Sequence, residues 1–312
     1  MPSPPPVASE DQQPLKGDKD AKAVFLPEER TPRLSWQQKL AKRLKIRNEL
    51  VRCILAEFLG TFVLVALGCG ALAQATLGGK YGDGNVVTVI LGWGLGVGMG
   101  VYVSGGASGG HINPAVSTAM ALLGRLPVLK MFCYWLGQYL GAIFGSFCVY
   151  IVYFDGLKNL DKGIRISHAD ANETTKGMVT DGIWGTFPKD HVTTEESFAD
   201  QIFGTLLLVL LASAITDERN MGVPKGMVPL VLGFAVTGIL TGYATNCGAA
   251  LNPARDLGPR IFTAVAGWGV GPFSFRMWWW VPVLAPHIGA ILGALMYNIC
   301  VGLHLPDPTE TR

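Results

Sequence analysis

Six runs of mostly apolar residues, at 53–77, 86–104, 131–154, 198–215, 226–245 and 277–303, constrain this chain more than any other feature. Each is close to the roughly 20 residues that a helix needs to cross the hydrocarbon of a bilayer. Lipid offers the backbone no hydrogen-bond partner, so such runs must be helices. Apart from their ends, their interiors carry only Glu57 and Asp200 as charges. Composition agrees: 15% of the residues are charged and 49% hydrophobic, against about 25% charged in an average soluble domain. The 40 glycines suit helices that approach closely in lipid, where no hydrophobic force holds them together.

Several classes are excluded at this level. A net charge of +2 gives no nucleic-acid footprint. Cys53, Cys69, Cys133, Cys148, Cys247 and Cys300 lie in or beside apolar runs without CxxC spacing, so they read as small apolar fillers rather than disulfides or zinc ligands. The five histidines show no metal spacing, no cofactor motif is present, and no paired acid and base suggests an enzyme. "GWGLGVGMG" looks superficially like a nucleotide loop, but no strand precedes it and its alternate glycines sit mid-span, which favours helix packing.

The start "MPSPPPVASEDQQPLKGDKD" lacks the basic start and apolar core of a signal peptide and is too polar and Pro-rich to bury a core. Residues 1–50 read as a disordered and basic amino-terminal tail. Its last part, "WQQKLAKRLKIRNELVR" (36–52), holds six Lys or Arg with interleaved Leu and Ile, a juxtamembrane segment suited to the inner interface. Those charges precede the first span, whereas the connection "GGKYGDGN" after it carries only Lys80. The positive-inside bias therefore puts the amino terminus in the cytoplasm. Six spans return the carboxyl-terminal tail, 304–312, to the same side and place the 155–197 connection outside. That connection contains "NETT", a glycosylation sequon at Asn172.

The chain repeats itself. "EFLGT" (57–61) is echoed by "QIFGT" (201–205), and "LGAIFG" (140–145) by "IGAILG" (288–293). Between these two landmarks of each half, "GGHINPAVS" (109–117) in the first and "GAALNPARD" (248–256) in the second both carry Asn-Pro-Ala: Asn113, Pro114, Ala115 and Asn252, Pro253, Ala254. Three spans per half is an odd number, so the halves, about 51–154 and 198–303, are inserted with opposite orientation. Each Asn-Pro-Ala precedes an apolar stretch too short to span. Residues 113–123 make roughly 16 Å of helix, about half the hydrocarbon core. The expected fold is an all-α membrane protein of six transmembrane helices plus two re-entrant half-helices. Extended arms with unpaired backbone are tolerable at that depth only where they line a water-filled cavity. Asn113 and Asn252 then cap half-helices whose positive dipole ends meet near the midplane.

On these residues the sequence resembles the aquaporin superfamily, and within it the aquaglyceroporins, over about residues 45–305. The resemblance implies a channel domain (51–303) with a pore in each subunit, assembly as a homotetramer in the cell membrane, and passive conduction of water, glycerol and often urea. Asp256, directly after Asn-Pro-Ala-Arg, looks like the glycerol-conducting branch. By family spacing, Trp93 is similar to the apolar wedge of glycerol channels, Ala249 is a small residue that leaves space, and Leu240 stands where water-only members carry His and glycerol channels Gly. Leu is a departure: either it narrows the pore, or Gly238 or Gly242 takes the place in a shifted register.

The residues supply a mechanism beside the resemblance. A solute entering an apolar pore regains lost hydrogen bonds from the arm carbonyls and from the Asn113 and Asn252 amides, while the two positive helix ends repel cations and interrupt a proton-conducting chain of water. Arg255 adds a fixed charge and several donors, and an intramembrane Arg is costly enough to be functional by default. Asp256 and Arg260 form a local ion pair supporting it. His111, with Glu57 nearby, is the one group along the pore with an ordinary pKa in the physiological range; it is either a pH sensor or, by the stronger reading, a neutral brace. The rival class is a secondary transporter of inverted-repeat fold. Ion coupling usually requires charged groups along the pathway, and Glu57 reads as an acceptor for a re-entrant loop.

Overall fold

The computed structural model describes residues 35–78 and 84–306, so the Pro-rich start, Lys80 and the end of the carboxyl tail lie outside the described residues. Two units are distinguished, residues 1–45 and 46–312. In the first, α1 (Trp36–Leu44) is a basic helix closed by a capping box. The Ser35 hydroxyl accepts from the Gln38 backbone N–H at 3.2 Å, and the Gln38 side chain accepts from Ser35 at 2.8 Å. This helix falls in the basic, juxtamembrane part of the amino-terminal tail. Residues 36–44 are helical because the cap satisfies two free donors, and the next helix already begins at Glu49.

In the second unit, α2 (Glu49–Leu77) and α3 (Val86–Ser108) are capped by Asn48 and Asn85. They are followed by the short α4 (Pro114–Leu122), α5 (Val128–Val152) and α6 (Phe154–Asp161). The second half repeats the order with α7 (Thr194–Thr216), α8 (Val228–Tyr243), the short α9 (Pro253–Thr263), a one-turn α10 (Gly271–Ser274) and α11 (Val281–Cys300). Four helices, α2, α3, α5 and α7, and the helical run Gly271–His304 that contains α11 are long and apolar enough to cross a membrane. The remaining span, α8, has 16 residues, about 24 Å of helix. The final span is also shorter than its apolar run. At its start Arg276 and Met277 have φ of 49°, and this break confines the α-helix to Val281–Cys300.

Helix packing builds each repeat, and glycine decides it. In the first half α2 packs on α3 and α5, and in the second α7 packs on α8 and α11. A Cβ on Gly141 of α5 would lie 2.2 Å from the Phe58 carbonyl oxygen, and one on Gly289 of α11 would lie 2.2 Å from that of Ile202. These are equivalent positions of the two repeats, and at both only the absence of a side chain lets the backbones meet. The halves join by exchange: α4 packs on α11, α9 on α5, and α3 crosses α8. The alternate glycines of "GWGLGVGMG" serve that last crossing, with Gly94 against Thr237 and the Gly233 carbonyl.

Ends of helices that share a face are tied together. Lys130 pairs with Glu49 at 2.7 Å, and Tyr297 donates to Asp217 at 3.1 Å. On the opposite side Tyr153 donates to Gln74 at 3.1 Å. The face where α2 begins is called the near face below, and the other the far face.

Candidate functional site

Between α3 and α4 the chain turns back on itself through Gly109, Gly110 and Ile112, all at positive φ (90°, 68° and 44°). The equivalent arm before α9 uses Gly248, Ala249 and Leu251 (81°, 44° and 55°). Such values cost a non-glycine residue of order 1–3 kcal/mol each, so the surrounding contacts must impose them. No local feature of the sequence signals positive φ at Ile112, Ala249 or Leu251.

At the tips the two asparagines hold both their own helix and the opposite arm. The Asn113 carbonyl oxygen of the side chain accepts from Ala115 N at 2.9 Å, while its amide donates to the Leu251 carbonyl at 2.9 Å. Asn252 accepts from Ala254 N and Arg255 N at 3.0 and 3.2 Å and donates to the Ile112 carbonyl at 2.8 Å. Each Pro occupies the first turn, where its missing N–H is not needed, and Ala115 and Ala254 are fully buried beneath. The two helix N-termini are thereby cross-linked tip to tip.

Glu57 of α2 braces the first arm. One carboxylate oxygen accepts from the Ser108 hydroxyl at 2.5 Å and His111 N at 3.0 Å, the other from Ile112 N at 2.6 Å and Gln138 Nε2 at 2.7 Å. His111 turns its Nδ1 to the Ser117 hydroxyl at 3.1 Å and sits edge-on to Tyr134. In the second half Gln201 replaces Glu57. Its oxygen accepts from Leu251 N at 3.2 Å, and its amide donates to the Cys247 sulfur at 3.0 Å, whose thiol donates to Asp200 at 2.8 Å. Ser108 and Gln138 carry no signal in the sequence beyond the Glu57–Gln201 equivalence that points to the place, and Cys247, expected as an apolar filler, is instead hydrogen-bonded between Gln201 and Asp200 because it lies in the arm itself.

A cavity of about 100 Å³ runs along both arms, lined by apolar residues such as Leu64, Val97, Val101, Leu208 and Val236 together with His111, Asn113, Ala249, Asn252 and Arg255. A wider space of about 320 Å³ opens toward the far face. Trp93, Leu240, Gly248 and Arg255 line both and so form the neck between them. The Arg255 guanidinium carbon lies 4.0 Å from the Trp93 ring centre, a stacked cation–π contact. Leu240 occupies the neck itself. Gly238 and Gly242 are exposed on the outer surface of α8, so the shifted register does not apply.

Behind the neck, Asp256 pairs with Arg260 at 2.7 Å and stands 3.8 Å from Arg255. Its other oxygen accepts from Thr186 N and Oγ1 at 2.8 and 2.6 Å. Arg255 donates to the Trp184 carbonyl at 3.3 Å, while Arg260 donates to the carbonyls of Thr186 and of Pro272, the latter at 2.6 Å. Asp256 and Arg260 are completely buried. A charge buried at this depth is stable only when paired and hydrogen-bonded, and the segment 184–186 supplies the missing partners. That segment lies within the 155–197 connection, where no motif in the sequence points to a role in the site. Asn172, in the same connection, is exposed, with its side-chain oxygen accepting from Thr174 N and Oγ1 at 3.0 and 2.7 Å. No group of three or more potential metal-ligating side chains occurs among the described residues.

Comparison with known proteins adds three findings. The pattern of the family described as "Major intrinsic protein" matches residues 45–297. Over 269 residues the chain is 42% identical to aquaporin-9 of Homo sapiens, covering 86% of this chain and 88% of that protein, and 45% identical to aquaporin-10 of Homo sapiens, covering 86% of each. Among solved structures, the X-ray structure of the aquaglyceroporin from Plasmodium falciparum is similar with a TM-score of 0.70 and 32% identity, covering 80% of this chain and 97% of that one.

Proposed function

The chain belongs to the major intrinsic protein family, and on that premise we propose how its pore sorts solutes. It is a multi-pass membrane channel for water and glycerol. The neck formed by Trp93, Leu240 and Arg255 is the selectivity filter, and the observation that carries this reading is the Arg255 guanidinium stacked 4.0 Å from the Trp93 ring, because that pair presents donors and an apolar wall to the same passing molecule. A polyol lays its carbon edge on Trp93 and Leu240 and turns its hydroxyls to Arg255 and the arm carbonyls. Ala249 leaves room on the fourth side. Urea, small and neutral, meets the same requirements. Asn113 and Asn252, each with one amide hydrogen committed to the opposite arm, offer the other to the solute at the midplane, where two positive helix ends exclude cations.

Asp256 and Arg260 hold Arg255 in place. Glu57, accepting four hydrogen bonds, braces the near-face arm and carries no protons, which separates this reading from a proton-coupled transporter. His111 is a brace in the same arm, held by Ser117 and by its own backbone bond to Glu57. Both termini lie in the cytoplasm, the 155–197 connection lies outside with a glycan on Asn172, and four copies assemble in the cell membrane.

Stopped-flow light scattering of proteoliposomes tests the filter. Vesicles should shrink in sucrose and re-swell in glycerol and in urea; absence of re-swelling would reduce the pore to water alone. Trp93→Ala should weaken discrimination between glycerol and larger polyols while water flow persists, and unchanged relative permeabilities would remove Trp93 from the filter. Glycerol flux should stay flat when the near-face pH is stepped from about 7.5 to about 5.5. A response abolished by His111→Ala would make that residue a sensor instead.

A further inference from the structure

The conduction path makes no use of α1, yet that helix has a built surface. Trp36, Leu40 and Leu44 recur every fourth residue and form one stripe along its length, with exposures of 71%, 47% and 68%. Lys39 and Arg43 follow the row directly beside the stripe, and Lys42 lies on the opposite side. None of its nine residues is buried. A nine-residue helix is marginal in water by itself, and three large apolar side chains left in solvent make it costlier. Such a helix calls for a partner that takes its apolar face.

We propose that α1 lies on an anionic bilayer surface, with Trp36, Leu40 and Leu44 seated among the acyl chains, Lys39 and Arg43 at the level of the phosphates, and Lys42 and Lys45 adding to the positive charge above them. The charge pattern selects this occupant. The helix carries no acidic residue, Lys39 and Arg43 flank the apolar stripe where long stems can reach up to headgroups, and a mixed apolar and cationic face is the signature of an interfacial helix. Chain continuity supplies the second argument. Only Lys45 to Asn48 separate α1 from α2, the first spanning helix, so the segment is tethered beside the lipid it would bind. Arg47 and Arg52 extend the same positive charge into that junction. Basic residues next to a span are attracted by the negative surface potential of a leaflet rich in acidic lipid.

The proposal is independent of which solutes pass, and hydrogen exchange read by mass spectrometry can test it on the full chain in nanodiscs. With phosphatidylcholine alone, the amides of residues 39–44 should exchange nearly as in an unfolded peptide. With about one third phosphatidylserine they should slow about tenfold or more. Leu40→Glu should abolish the slowing by removing the seat of the stripe. The triple change Lys39→Glu, Lys42→Glu, Arg43→Glu should abolish the difference between the two lipids while the rest of the exchange map is unchanged. Equal exchange in both lipids, or slowing that survives Leu40→Glu, would overturn the assignment.

Discussion

The two re-entrant arms share their geometry but not their chemistry. Both turn through residues at positive φ, both end in an asparagine that caps one half-helix and grips the other arm, and both lean on equivalent positions of a spanning helix, Glu57 and Gln201. The near-face arm is held by a carboxylate that gathers four donors. The far-face arm donates a single backbone hydrogen bond to Gln201, and the firm anchoring passes instead to the half-helix that follows, through Asp256, Arg260 and Thr186. The comparison teaches that an inverted repeat fixes the path of the backbone, while each half is free to spend its polar groups differently. One half braces a tip, and the other fixes a cation at the neck.

Removing the far-face anchor should have the largest effect. Asp256→Ala strands two buried arginines and the Thr186 donors, a change of the kind that costs about 3–5 kcal/mol. Folded protein recovered by size-exclusion chromatography should fall sharply, and the remainder should conduct glycerol poorly. If Asp256→Ala folded and conducted like the parent, the far-face half would not depend on this anchor.

The braces themselves offer a direct comparison. A buried N–H left without an acceptor costs about 1–3 kcal/mol. Glu57→Leu strands two backbone donors, those of His111 and Ile112, whereas Gln201→Leu strands only that of Leu251. Thermal unfolding in detergent should show about twice the loss for Glu57→Leu. Equal losses would erase the asymmetry between the arms.

The smallest effect sharpens it further. A Cβ on Gly60 would meet Ser104 Oγ at 2.5 Å, Ile112 Cγ2 at 2.7 Å and the Gly100 carbonyl oxygen at 2.9 Å, whereas one on Gly204 would meet the flexible end of Leu251 at 2.6 Å. The branched Ile112 and the Gly100 backbone cannot swing aside, but a leucine tip can. Gly60→Ala should therefore cost about 1–3 kcal/mol through overpacking, and Gly204→Ala measurably less by the same unfolding assay. A reversed order would mean that the near-face arm is the more yielding one.

Much of this architecture is written locally. Apolar length sets the spans, the odd number of spans per half inverts the repeat, and Asn-Pro at the start of a short apolar stretch marks a capped half-helix. Those signals depend only on neighbours a few residues apart, so the sequence by itself determined the topology and the place where the two tips meet. The neck was legible only in part. Arg255 stands out as an intramembrane charge and Trp93 follows from the family resemblance, but the choice of Leu240 over Gly238 and Gly242 depends on the rotation of α8 against α3, which the packing of Gly94 against Thr237 sets. The partners of Asp256 come from Thr186, far away in the chain and within a connection that has no helical period to read. The positive φ of Ile112, Ala249 and Leu251 runs against the preference of each residue. Only the tertiary structure decided these: at Ile112 and Leu251, hydrogen bonds donated to Glu57 and Gln201 and accepted from the opposite asparagine repay a strain that no local signal encodes.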